Sequence, residues 1–232
     1  MERCVEPELL DQLPASDPGA VRSRFDLTRV NLLMGHAAIM AKSLMAHTAN
    51  RRPRVLLDLG AGDGTFMLRV ARRLAPRWPD CRVILLDKKN IVGAKTRAAF
   101  AALGWNVETV TADVFDFFSA ADGPKADIIT ANLFLHHFHD QPLSRLMSLI
   151  AQRTPLFLAC EPRREALASA GSRMLWAIGC NHVTLHDAAA SVRAGFRGRE
   201  LTALWPKANA WDVQERAAGL FSHSFMSWRR RS

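Results

Sequence analysis

The sequence predicts an α/β fold, a mostly parallel sheet with helices on both faces, and three observations carry that expectation. Short apolar runs alternate with helical patterns from about residue 54 to residue 160. The run Val55–Leu59 leads straight into a glycine-rich turn, Gly60-Ala61-Gly62-Asp63-Gly64. Acids stand where the next two strands end, Asp87 and Asp113. An unbroken apolar run is the pattern of a strand buried on both faces. Glycine lets the backbone take positive φ and lets a ligand come close. After Gly64 the period becomes helical, with Phe66, Met67, Val70 and Leu74 on one face. Strand, turn and helix N-terminus together make a nucleotide-binding platform.

Taken in order, residues 1 to about 18 are irregular. A helical pattern then runs from Ala20 to about Ala49 through Phe25, Val30, Leu33, Met34, Ala37, Met40, Ala41 and Leu44. Gly35 is a candidate break, and Arg51-Arg52-Pro53 ends the pattern. Residues 1–50 therefore form a helical N-terminal segment and residues 51–232 the main domain. In the main domain, strands are expected at 54–59, 82–87, 106–111, 126–131 and 156–160, with helices at 64–75, 91–103 and 142–151. Residues 163 to about 180 are helical in pattern. Asn181–His186 reads as a short polar loop, and Asp187 as the N-cap of a helix over 188–194 that stops at Gly195. Glu200–Trp205 reads as strand six and Leu220–Trp228 as strand seven.

With 232 residues and 49% apolar residues, the chain has the material for one domain and an appendage. No apolar run reaches the length of about 18 residues that a membrane span needs. The N-terminus is acidic and lacks the apolar core of a secretory signal. Cys4, Cys81, Cys160 and Cys180 are scattered, which suits reduced thiols in a cytoplasmic protein rather than a zinc site or a disulfide framework. The net charge of +9 is spread along the chain, apart from Arg229-Arg230-Arg231. It contains no basic run interleaved with aromatics, so nucleic acid is not the expected partner.

The turn has the spacing G-x-G-x-G, with Asp58 at the strand end and Asp63 inside it. Carboxylates there repel a pyrophosphate and suit a ligand that carries an ammonium and a sulfonium. The stretch resembles the first motif of class I S-adenosylmethionine (AdoMet)-dependent methyltransferases. Three further motifs follow in order up to residue 137. The resemblance implies a Rossmann-like fold, a seven-stranded sheet whose last strand is antiparallel, and AdoMet as cofactor. It implies that Asp58, Gly60, Ala61 and Gly62 form the cofactor turn and that Asp87, followed by Lys88, accepts from the ribose hydroxyls. It places Asp113 at the adenine amino group, Val114 or Phe115 against a ring face, and the backbone at Asn132 along the methionine part. It also implies that the N-terminal segment is a helical lid, although an amphipathic helix packed on the sheet explains the same pattern. Residues 163–186 become a helical insertion that builds the substrate pocket.

For chemistry, methyl transfer asks the protein to hold a nucleophile close to an already activated methyl group, and a hydroxyl nucleophile also needs a base. Histidine suits that task near neutral pH. His182, in the polar loop, is the first choice, set against a solvated loop histidine. His136 is the second, set against a structural role beside the cofactor. His136, His137 and His139 with Asp140 suggest a metal, but adjacent loop histidines rarely aim at one ion, so none is expected. Glu161-Pro162-Arg163-Arg164 ends strand five, where Pro162 would stop pairing and an arginine would meet an anionic substrate group or pair with Glu161. His223 has no assigned role. The expected function is methylation of a small aromatic, phenolic or polyketide-type metabolite of secondary metabolism, on oxygen in preference to carbon. An RNA methyltransferase and a non-catalytic AdoMet-binding partner subunit are the competing readings.

Overall fold

A computed structural model describes residues 2–14, 16–48, 52–119, 125–206 and 210–230. Seven strands form one sheet in the order β3-β2-β1-β4-β5-β7-β6. They are β1 (Val55–Leu59), β2 (Arg82–Asp87), β3 (Asn106–Thr111), β4 (Ile128–Asn132), β5 (Leu156–Pro162), β6 (Trp211–Ala217) and β7 (Ser222–Arg229). Strands β1 to β5 pair in parallel. Only β7 is antiparallel, to β5 on one side and to β6 on the other. The expected mostly parallel sheet with an antiparallel last strand is therefore observed. The order reverses between β1 and β4, which puts the switch point at the carboxyl ends of those two strands.

Helices cover both faces. On one face Met40, Ala41 and Leu44 of α3 (His36–His47) and Met67, Val70 and Leu74 of α4 (Thr65–Leu74) pack on Leu56, Val83 and Leu85. On the other, Leu143, Leu146, Met147 and Ile150 of α7 (Asp140–Arg153) pack on Leu57, Ile129 and Phe157. The remaining helices are α1 (Leu9–Gln12), α2 (Pro18–Met34), α5 (Ala94–Ala101), α6 (Val114–Ser119), α8 (Ala166–Arg173), α9 (His182–Ala194) and α10 (Glu200–Leu204). Gly35 breaks α2 from α3 with φ 67°, as its position in the pattern suggested. The expected end of that helix, at Ala49 and Arg51, lies outside the described residues, as does Arg231 of the C-terminal arginine run.

The C-terminal third departs from the expectation in three ways. Glu200–Leu204 is a helix, not strand six. Leu201, Leu204 and Trp205 share one helical face, and the Glu215 carboxylate accepts from the first amides, Leu201 N and Thr202 N. The sixth strand is Trp211–Ala217, whose Asp212, Gln214 and Arg216 make it a polar edge. Asn181–His186 is not a loop: Asn181 caps α9 by accepting from Thr184 N, and α9 starts at His182. Asp187 lies within that helix and caps α1 instead, accepting from Leu9 N and Leu10 N. Pro162 does not stop the pairing of β5, since it still faces Ser222 and Arg163 N donates to Phe221 O.

Candidate active site

The glycine turn follows from its own steric limits. Gly60, Gly62 and Gly64 have φ 67°, 57° and 75°, a region costly for other residues. At Gly60 a Cβ would stand 2.4 Å from the Phe134 ring. At Gly62 it would meet nothing within 4 Å, because that residue faces a cleft. Asp63 accepts from Thr65 N and Thr65 Oγ1, and so fastens the start of α4. Ala61 N donates to Leu86 O and ties the turn to β2.

The cleft is a cavity of about 200 Å³ at the switch point. Asp58, Gly60, Ala61, Gly62, Asp87 and Asn132 line it from the sheet side, and Leu10, Asp11 and Asn31 close it from the N-terminal segment. A larger open groove of about 1170 Å³ lies at the amino ends of the strands, beside Pro53, Asp127 and Pro155. Ligands of parallel sheets sit at the other ends.

Four acids, Asp11, Asp58, Asp63 and Asp87, and two bases, Arg24 and Lys89, line the cleft. Asp58 is buried and accepts one hydrogen bond, from Thr130 Oγ1 at 2.7 Å. Burial pushes its carboxyl up to about 7, against the opposing Thr130 bond, and the Asp87 charge adds to the rise. Asp87 accepts from Gly62 N and Lys89 N, both at 2.8 Å, one on each oxygen. That shapes the glycine turn around the carboxylate and leaves each oxygen further lone pairs. Asp113 caps α6 through Phe115 N and pairs with Lys88 Nζ at 2.9 Å. The Lys88 ammonium holds the Asp113 carboxyl below its ordinary range, although burial opposes it. Val114, the next residue, is buried.

At the β4 end of the cleft, Asn132 Oδ1 is 2.6 Å from His36 Nδ1, and Asn132 Nδ2 donates to Asn31 Oδ1. The other ring nitrogen, His36 Nε2, is 2.6 Å from Ser222 Oγ. Burial lowers the His36 pKa, so the ring is neutral near pH 7. With Asn132 Nδ2 donating to Asn31, the Asn132 oxygen faces His36, so Nδ1 carries the proton and Nε2 accepts from the Ser222 hydroxyl.

His136 belongs to a different arrangement. It sits in a 3₁₀ turn, Leu135–His137, with Nδ1 2.7 Å from Glu161 Oε2 and Nε2 3.3 Å from Glu8 Oε1. Glu161 also accepts from Phe134 N and Leu135 N. Burial by itself would lower the His136 pKa, but the two carboxylates raise it to about 9. Burial likewise opposes ionisation of Glu8, yet the imidazolium holds it at about 2. Ser191 of α9 donates to Glu8 as well. Glu8, His136 and His137 offer ligand atoms within 4.8 Å of one another, but the hydrogen bonds of His136 already occupy both its nitrogens.

The structure thus gathers Asp58, Gly60, Ala61, Gly62, Asp87 and Asn132 around one cleft, with Lys88 and Asp113 paired beside it. His136 has both nitrogens tied to carboxylates. His182 is exposed in the first turn of α9. Ser191, the α9 residue that reaches the His136 cluster, lies nine residues further on, or about 14 Å along the helix. Glu161 pairs with His136 and not with an arginine; Arg163 pairs with Glu165 and Arg164 with Glu200. His223 is buried against Glu215 at 2.8 Å. The sequence reading missed His36, Ser222 and Glu8. A histidine directly after the Gly35 break was the one local signal among them.

Residues 56–154 match the model of a methyltransferase domain family. No curated protein matches. Among solved structures, the chain resembles the plantazolicin methyltransferase BpumL in complex with S-adenosylhomocysteine (SAH). The TM-score is 0.68 and the identity 14%, over 95% of this chain and 94% of that one. It also resembles an O-methyltransferase family protein from Burkholderia thailandensis, with TM-score 0.63 and 20% identity over 93% of this chain and 61% of that one. A third is the mitomycin 7-O-methyltransferase MmcR, with TM-score 0.60 and 19% identity over 95% of this chain and 60% of that one. The chain spans about three fifths of the length of these last two proteins. Residues 56–154 thus carry the match to a methyltransferase domain, and the chain as a whole has the Rossmann-like fold of the methyltransferases it resembles.

Proposed function

We propose that the protein methylates a hydroxyl of a small aromatic, phenolic or polyketide-type metabolite. The observation that carries this reading is the Ser222–His36–Asn132 chain of hydrogen bonds at the end of β4, next to the cleft. The residues of the cleft fit AdoMet: a glycine backbone open to the ligand, a buried acid for an ammonium, and a carboxylate whose oxygens suit a diol. In this reading Asp87, with Lys88 after it, receives the ribose hydroxyls. Asp113 faces the adenine amino group over Val114, while Asp58 and the Gly60-Ala61-Gly62 backbone receive the amino-acid end. When bound, AdoMet supplies a methyl group on a positively charged sulfur.

The chain's own part is to position the acceptor and to remove its proton. Asn132 fixes His36 through Nδ1, which leaves Nε2 as a neutral acceptor. Ser222 Oγ donates to that nitrogen; Ser222 and His36 are both buried and do not line the cleft, so a substrate hydroxyl reaches Ser222 only once the N-terminal segment shifts, and then passes its proton through Ser222 to His36. His36→Gln should lower turnover by about 10²–10⁴ at pH 7 while leaving SAH affinity close to wild type. The assay is transfer of label from AdoMet to a panel of phenols and polyketide-like hydroxyls, with total RNA as a second arm. Labelled RNA and unlabelled metabolites would overturn the substrate class. Equal turnover of His36→Gln and wild type would remove the base.

A further inference from the structure

Helix α2 is built inside out. Its buried residues are Ala20, Ser23 and Asp26. Its exposed ones include Val21, Phe25, Leu32 and Leu33, which are 52, 57, 64 and 69% exposed. A helix on a protein surface ordinarily turns its apolar stripe inward and its polar face out. At about 100° per residue, Val21, Phe25 and Leu32 fall within about 40° of one another, so they form one stripe. None of the three lines the cleft, which α2 borders with the adjoining face of Arg24, Leu27, Thr28 and Asn31.

The flanks of the stripe are cationic. Arg22 and Arg29 stand beside it and approach the buried Asp26 at 3.4 and 3.8 Å. Asp26 is the only acid of α2, so the outward face presents arginines and no carboxylate. The same arginines donate to Gly179 O and Ile178 O, which fixes the 3₁₀ turn Met174–Ile178 alongside α2. That turn adds Met174 and Trp176, 66 and 69% exposed. The remaining exposed large hydrophobics among the described residues lie on the adjoining α8 and at Leu220, beside the Phe221 ring that covers Gly171 of α8.

We propose that this face docks on an anionic lipid surface, with α2 lying in the headgroup layer. Apolar and aromatic side chains enter the acyl boundary while flanking arginines meet lipid phosphates, which is the composition of an interfacial helix. Tryptophan beside the stripe suits the same depth. Among the described residues no helix is long and apolar enough to cross a membrane, and the proposed contact lies along the surface. A second copy of this chain is the weaker occupant, because it would bring the same arginines and no carboxylate to answer them.

The test is co-sedimentation of the full chain with vesicles of phosphatidylglycerol and phosphatidylcholine, and with phosphatidylcholine alone. The expected result is binding to the anionic vesicles that weakens with salt. The double variant Phe25→Glu/Leu32→Glu should cut that partition at least about 30-fold. Its SAH affinity should stay at the wild-type value, since neither side chain lines the cleft, and this checks folding. Absence of wild-type binding, equal binding to neutral vesicles, or an unaffected double variant would each overturn the proposal. So would a wild-type dimer that the double variant dissolves without any binding to vesicles.

Discussion

Asp58 gives the cleft a titration that can be read in binding. Its carboxyl is raised to about 7 by burial, with one hydroxyl hydrogen bond to set against that cost. A ligand ammonium placed against it needs the charged form. With a pKa of about 7, the ionised fraction is about a tenth at pH 6 and about nine tenths at pH 8. Affinity for SAH should therefore rise about tenfold between pH 6 and pH 8, and binding at pH 7 should release about half a proton. Isothermal calorimetry in two buffers of different ionisation enthalpy measures both quantities. Asp58→Asn keeps the shape and a partner for Thr130, so it should bind weakly with a flat pH profile. The cofactor-free protein should respond in the opposite sense. A carboxyl raised in the folded state contributes stability that is present below its unfolded pKa and is lost as pH rises through about 7. Asp58→Asn should therefore melt above wild type at pH 8 without ligand and below it with ligand. A flat wild-type profile, or a variant that keeps the slope, would refute the placement of Asp58 against the ammonium.

Three further predictions follow from the geometry. Gly60→Ala should lose about 1–3 kcal/mol of stability, because a positive φ and a Cβ 2.4 Å from the Phe134 ring both oppose it; Gly62→Val should stay folded in a melting scan yet lose SAH binding, since its side chain would project into the open cleft. Glu8→Gln should raise hydrogen exchange across residues 2–14, and in the wild type the same protection should fade as pH rises past about 9, where His136 loses the proton that holds Glu8 and Glu161 together.

The sheet and the glycine turn were legible because their causes are local. An apolar run with β-branched residues, a glycine at each positive φ and an acid at a strand end are all written within a few residues. The edge strand was not legible in the same way. Trp211–Ala217 is one-sided and charged, while Glu200–Leu204 is apolar enough to look like a strand. Its helical state depends on a cap from Glu215, which lies beyond the helix in the chain and on the neighbouring strand. Asp187 failed as a predicted N-cap for a similar reason: it caps, but it caps α1, 178 residues away. A side chain's preference for amide donors is readable, but which amides it meets is a property of the assembled fold.

The candidate site divides along the same line. The cofactor residues expected from the sequence sit in the glycine turn or at and just after strand ends, where backbone geometry fixes them, whereas the two histidines expected for the chemistry lie on α9 and in a 3₁₀ turn, away from the cleft lining. Those that the sequence reading missed, His36, Ser222 and Glu8, arrive from the N-terminal segment and the last strand. His36 reaches Asn132 across 96 residues and Ser222 across 186. Glu8 reaches His136 across 128. Such contacts cannot be inferred from spacing. They also explain why the N-terminal segment is inseparable from the cleft. Lys89 Nζ donates to Leu10 O, Asp11 O and Leu13 O, Asp187 holds the first amides of α1, and Leu10 and Asp11 then wall the cavity. At about 200 Å³ the cleft is below the usual size of a ligand pocket. A ligand as large as AdoMet therefore requires this strap to shift, and the polar contacts along it set the cost of that movement.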